Sequence, residues 1–214
     1  MARIALIHAL AESVAPAAAA FARLWPGATR ANMLDDSLSA DLARAGALTP
    51  AMTGRFLTLA RYAADCGADG VLFTCSAFGP CIDACAEALA PLPVLKPNEA
   101  MIEEAAALGG SIGLLATFAP TLASMPAEFP RGIVVRPKLA EGALAALAAG
   151  DGGRHDALAA EAARALAGCD AIALAQFSLA RAAPGVAAAT GKKVLTTPDS
   201  AVRKLQRLLG DAPR

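Results

Sequence analysis

The chain has 214 residues, room for one or two domains, and its 56% apolar composition is ample for a core. Nineteen Lys and Arg balance 19 Asp and Glu, and aromatics make up 4%. No net field therefore draws nucleic acid or an anionic surface, and no platform exists for stacking bases. No apolar run is long and uninterrupted enough to suggest a membrane span, and five cysteines without a secreted disulfide spacing point to a reducing, cytoplasmic compartment.

Strands are predicted near residues 3–8, 28–33, 70–74, 93–95, 111–116, 132–136, 170–175 and 193–195, with helical patterns between them. Residues 4–22 have some features of a secretion signal. His8 and Glu12 interrupt the apolar stretch, however, and its likeness to 112–117 favours a first strand. Ser13 is expected to cap a helix that reaches Leu24 and stops at Pro26-Gly27. Thr49-Pro50 opens a long helix ending at Cys66-Gly67, with Pro50 at the first position, where a missing N–H is no loss. Asn98 caps a helix that ends at Gly109-Gly110. Gly150 to Gly153 separate two Ala-rich helices, and Thr197-Pro198 or Asp199 starts the last one. Strands alternating with helices give an α/β fold with parallel sheets and helices on both faces.

The chain also repeats itself. Gly67-Ala68-Asp69-Gly70-Val71-Leu72-Phe73-Thr74-Cys75-Ser76 returns 101 residues later as Gly168-Cys169-Asp170-Ala171-Ile172-Ala173-Leu174-Ala175-Gln176-Phe177. Arg3 to Ala9 matches Ser111 to Thr117, and Pro93-Val94-Leu95 matches Lys193-Val194-Leu195. A period of half the chain means a duplicated lobe rather than a solenoid. Two pseudo-symmetric lobes of about four parallel strands each are expected, over 1–97 and 98–197, with a final helix at 198–214 packing on the first. Ligands of open parallel sheets sit beyond the carboxyl ends of strands, so the active site is expected between the lobes. The strand tips are His8, Met33, Cys75, Lys96, Thr117, Arg136 and Gln176.

Cys75 is the first choice for a reactive group. It ends an apolar strand just before Gly79-Pro80, where exposed N–H groups at a helix start favour a thiolate. It is therefore expected to be the most reactive of the five cysteines; the alternative is a buried packing residue. Thr74, Ser76 and the turn at Ala77 offer donors for a carboxylate or enolate, or simply cap the helix. Thr117, Thr121 and Ser13 are anion-holding candidates. His8 is either a satisfied polar residue or a catalyst. Asn32, Asp35, Asp36 and Ser37 border the pocket or cap the next helix, and Arg30 and Arg136 are possible carboxylate partners. His155 reads as solvated. Cys81 and Cys85 share a helix face and read as packing, Cys66 and Cys169 as core, and no zinc-like spacing appears.

These features resemble the aspartate/glutamate/hydantoin racemase superfamily, which includes maleate isomerase and arylmalonate decarboxylase. The resemblance covers most of the chain. It rests on the two lobes, the strand ending Thr74-Cys75-Ser76, the strand Ile112 to Thr117 and the strand Asp170 to Ala175. It implies a cofactor-independent, metal-free enzyme acting at the carbon alpha to a carboxylate, with Cys75 as the first-lobe cysteine. It also implies that Thr74, Ser76, Ala77, Thr117, Gln176, Phe177, Ser178 and His8 contact a small carboxylate-containing substrate. A homo-oligomer is compatible with it. The family's second cysteine is replaced here by Gln176, which has no titratable proton near neutral pH. A single-thiol isomerase or lyase is the leading expectation. A non-catalytic carboxylate-binding or regulatory protein on the same scaffold is the alternative.

Overall fold

The computed structural model describes residues 1–210. The chain divides into two units, Met1–Ala100 together with the described residues from Ala201 onward, and Met101–Ser200.

The first unit is built on β1 (Arg3–His8), α1 (Val14–Leu24), β2 (Thr29–Leu34), α2 (Ser37–Ala45), α3 (Pro50–Asp65), β3 (Gly70–Phe73), α4 (Gly79–Leu89) and β4 (Val94–Leu95). The strands are all parallel, in the order β2-β1-β3-β4. Ile4 to Ile7 of β1 and Val71 to Phe73 of β3 are buried on both faces. Central strands covered by helices on each side require such continuous apolar runs. α3 starts as its sequence dictates: the Thr49 side chain accepts from the Met52 N–H, and Pro50 occupies the first turn. Its buried face, Met52, Phe56, Ala60 and Ala63, follows the helical repeat and packs on β1 and β3. Ser13 caps nothing with its side chain. It is buried, in helical conformation, because a short 3-10 turn (Ala11–Ser13) leads directly into α1.

The second unit follows α5 (Glu99–Leu108) with β5 (Ser111–Ala116), α6 (Ala119–Ser124), β6 (Val134–Leu139), α7 (Ala143–Ala148), α8 (Gly152–Ala163), β7 (Ala171–Leu174), α9 (Ala183–Thr190) and β8 (Lys193–Thr196); α10 (Thr197–Leu208) starts in it and belongs to the first unit from Ala201. Its sheet is again parallel, in the order β6-β5-β7-β8. β6 runs three residues past the expected end, so Arg136 lies mid-strand rather than at a tip. The helix predicted to reach 214 is described as far as Leu208, and positions 211–214 lie outside the described residues.

Both units open their central strand pair with the same device. Asp69 accepts the Arg3 N–H at 2.8 Å, and Asp170 accepts the Ser111 N–H at 2.8 Å and hydroxyl at 2.9 Å. Each aspartate precedes one central strand and satisfies the first donor of its neighbour, which sets the register. Gly113 of β5 matches Ala5 of β1 in the repeat. A Cβ at Gly113 would stand 2.9 Å from Leu166 Cβ, so the second sheet needs glycine where the first accepts alanine. Among the described residues no helix is long and apolar enough to cross a membrane.

Candidate active site

In each unit the chain runs outward to one edge of the sheet and then returns to the other side, so strand order reverses between the two central strands. Ligand crevices of open α/β sheets form beyond the carboxyl ends at this switch point. In the first unit that place lies between β1 and β3, where Ile7 pairs with Phe73. In the second it lies between β5 and β7, where Leu115 pairs with Leu174. His8, Thr74 and Cys75 continue the first pair, and Thr117 and Gln176 the second.

At the first switch point His8 is fully buried, with Nδ1 2.9 Å from Thr74 Oγ1 and Nε2 3.1 Å from Asn32 Oδ1. The amide oxygen only accepts, so Nε2 carries the proton and Nδ1 accepts from the Thr74 hydroxyl. Burial holds the ring pKa below its ordinary value, against the raising effect of the Asn32 bond, and the imidazole is neutral. His8 faces inward with both nitrogens engaged, and Thr74 directs its hydroxyl proton to His8 rather than outward. Together they stitch the two strand tips.

Cys75 is half-buried, while Cys81, Cys85 and Cys169 are buried and Cys66 is exposed. The residues on either side anchor it: Phe73 and Phe78 both pack on Phe56 of α3, with ring centroids 5.2 and 4.9 Å apart. Each such pair adds about 0.5–1.5 kcal/mol beyond area burial. Burial pushes the Cys75 thiol pKa up, and the backbone N–H of Ala77, which donates to the sulfur, offsets this only in part. The resting group is therefore the thiol, not the thiolate expected from the nearby helix start, because desolvation outweighs one backbone donor. Ser76 and Ala77 are exposed beside it in the turn Ser76–Phe78.

At the second switch point Gln176 is half-buried, and its Oε1 accepts from the Thr117 N–H at 2.6 Å and from Thr117 Oγ1 at 3.0 Å. Thr117 is buried, so both of its donors are spent on this one oxygen. Phe177 is buried, and Ser178 is half-buried at the start of the 3-10 turn Ser178–Ala182. That turn is held from α8: Arg181 Nε donates to both oxygens of Asp156, at 2.9 and 3.1 Å, and Asp156 accepts from His155 Nδ1 at 2.8 Å. His155 is wholly buried, not solvated as its polar neighbours suggested.

The remaining candidates fall elsewhere. Arg30 donates to the Ala18 carbonyl near the start of β2. Asp35 pairs with Arg55 at 2.5 Å and accepts from Ser37. Lys96 pairs with Asp83 at 2.8 Å. Cys81 and Cys85 are packed core, and burial lifts Cys85 to about 11. Cys66 is exposed, because it follows the last turn of α3 instead of entering the sheet. A hollow of about 450 Å³ on α2 and α3, beside Asp41, Arg44, Met52 and Arg55, includes no tip residue of β1 or β3. Among the described residues no cluster of three His, Cys, Asp or Glu is arranged to hold a metal ion. Sequence reasoning missed the role of Phe56, although its spacing from Met52 and Ala60 marks a buried helix face. It also missed the Asp156–Arg181 link, which no local pattern announces.

The chain matches the family described as Asp/Glu/Hydantoin racemase over residues 9–205. No curated protein matches it significantly by sequence. Among solved structures it is similar to an allantoin racemase from Klebsiella pneumoniae, with 22% identity, a TM-score of 0.74, and coverage of 100% of this chain and 94% of that one. It is similar to a cysteine-substituted mutant of arylmalonate decarboxylase in a sulfate-associated form, with 23% identity, a TM-score of 0.68, and coverage of 99% and 95%. A maleate isomerase from Pseudomonas putida S16 aligns with 17% identity, a TM-score of 0.63, and coverage of 99% and 94%. At these identities the structural likeness speaks for the fold.

Proposed function

The chain belongs to the Asp/Glu/Hydantoin racemase family, and on that premise we propose that it is a cofactor-independent isomerase or lyase acting at the carbon alpha to a carboxylate. Cys75 is its single acid/base. The observation that carries this reading is the half-buried thiol at the first switch point, beside the exposed turn residues Ser76 and Ala77 and held in its protonated form. Loss of carbon dioxide, with the C–C bond pair staying on the alpha carbon, or loss of the alpha proton to the thiolate form of Cys75, leaves an enediolate. The carbon then takes the proton from Sγ–H: the new C–H bond forms, the S–H electron pair stays on sulfur, and water reprotonates the thiolate. Ser76 and Ala77 are assigned to substrate oxygens beside Cys75, with His8 and Thr74 as positioning residues behind it, and Gln176 and Ser178 are assigned to substrate oxygens at the second tip. Gln176 orients but does not protonate, and a single thiol delivers the proton to one face only.

The test follows deuterium content and optical rotation of 2-substituted carboxylic acids in heavy water. Stereospecific incorporation by the unmodified protein is expected, and Cys75→Ala lowers it about 1000-fold. Fast racemisation by the unmodified protein overturns the single-thiol mechanism. A second reading, a non-catalytic carboxylate-binding or regulatory protein, is favoured by Gln176, an amide with no titratable proton near neutral pH at the second tip. Saturable carboxylate binding with no incorporation by any variant establishes it instead.

A further inference from the structure

The acceptor capacity of the Gln176 side chain is already used within the protein. A carboxamide offers one oxygen with two lone pairs and one nitrogen with two protons. The Thr117 backbone N–H, 2.6 Å away, can only donate, so the atom facing it is the oxygen, and the amide orientation follows without ambiguity. The Thr117 hydroxyl, at 3.0 Å, takes the second lone pair. Thr117 is buried, so moving the amide away would strand a desolvated N–H without a partner. The half-buried carboxamide therefore turns its Nε2 protons away from Thr117. Whatever meets Gln176 meets two donors and no acceptor.

We propose that Gln176 is the specificity-determining residue of the second lobe: it presents donors only, selects a carbonyl or carboxylate oxygen over an ammonium or amide N–H, and places Thr117 behind it as a positioning residue rather than a direct contact. This rests on the reading of the chain as a carboxylate-directed enzyme and narrows its substrate class. At this tip the substrate bears an oxygen acceptor, and an amino group is not read here.

Malonate titrated into the ¹⁵N-labelled full chain tests it, with the Gln176 side-chain resonances identified by their absence in Q176A. Malonate is expected to shift the Gln176 side-chain pair and to leave the Thr117 backbone amide nearly in place, while ethylammonium shifts neither. Q176A is expected to bind malonate about five- to tenfold more weakly, as for loss of a charge-assisted bond. Q176E should bind more weakly still, because its second oxygen turns an acceptor outward. Tighter binding by Q176A overturns the proposal, since it would mean that the glutamine plugs a cradle belonging to Thr117. A large Thr117 shift without one at Gln176, or no response at either, also overturns it. These spectra need no turnover. An inactive protein that shows the expected shifts refutes the enzyme reading alone, and an active one whose Q176A variant binds more tightly refutes this proposal alone.

Discussion

The two lobes share a strand order and a pair of aspartate clamps, yet they finish their central strands in opposite ways. In the first, apolar packing anchors the tip: Phe73 and Phe78 hold the turn against Phe56, and the side chain between them, Cys75, receives one backbone donor. In the second, hydrogen bonds anchor the tip, and the side chain at the tip is itself part of the anchor, because Thr117 takes both lone pairs of Gln176. Apolar anchoring leaves a side chain available for proton transfer. Polar anchoring fixes it as an oriented dipole. The same fold thus carries a group suited to chemistry in one half and a group suited to recognition in the other.

The sharpest way to break this contrast is to make the lobes alike. Gln176→Cys gives the second tip a thiol and frees the Thr117 donors. It is expected to raise racemisation relative to stereospecific incorporation by at least about tenfold, read by polarimetry against deuterium content, because the chain then carries a second acid/base. The pH profile of the unmodified protein separates the roles of the first thiol. An acid with a raised pKa keeps its rate through neutral pH and loses it only above the ordinary thiol range, near 8.5; a rate that climbs with pH from 7 to 9 would assign Cys75 as a base.

Removing the apolar anchor comes next in size. Phe56→Ala should destabilise the first lobe by about 3–5 kcal/mol in chemical denaturation, and the remaining folded protein should expose Cys75 to alkylation. In the unmodified protein the exposed Cys66 is expected to react before it, since burial raises the Cys75 pKa, whereas the sequence alone put Cys75 first. A smaller effect tests the Gly113 and Ala5 pair. Gly113→Ala is expected to cost about 1–3 kcal/mol by crowding Leu166, whereas Ala5→Gly should cost about 0.5–1 kcal/mol through backbone entropy. Equal losses would mean that Leu166 gives way freely.

The smallest effect belongs to His8. Its folded pKa is below the ordinary 6.5, so between those two values the unfolded chain binds a proton that the folded chain does not. Stability should fall as pH drops below about 6.5 and level off once pH passes below the folded value. His8→Gln removes this slope, which equilibrium denaturation at pH 7 and pH 5 reads directly.

The repeat, the alternation of strands and helices, and the two tips at Cys75 and Gln176 were legible in the residues themselves. These features rest on local regularities: apolar runs, glycine stops and a proline in a first turn. Charge states and partnerships were not legible. His155 stands among Asp151, Arg154 and Asp156 and reads as solvated, yet the fold buries it, since only packing decides which side of a short helix faces inward. The position of Cys75 near a helix start suggested a thiolate, but the balance between desolvation and one N–H donor depends on how closely Phe73 and Phe78 are packed around it.

By itself the sequence determined the duplicated α/β architecture and the replacement of a thiol by an amide at the second tip, because periodicity and residue identity are properties of the chain. Only the tertiary structure decided that this amide points its oxygen at Thr117 and that Thr74 gives its proton to His8. Those bonds join residues 59 and 66 positions apart, and the direction of a hydrogen bond is set by which atoms the sheet brings face to face.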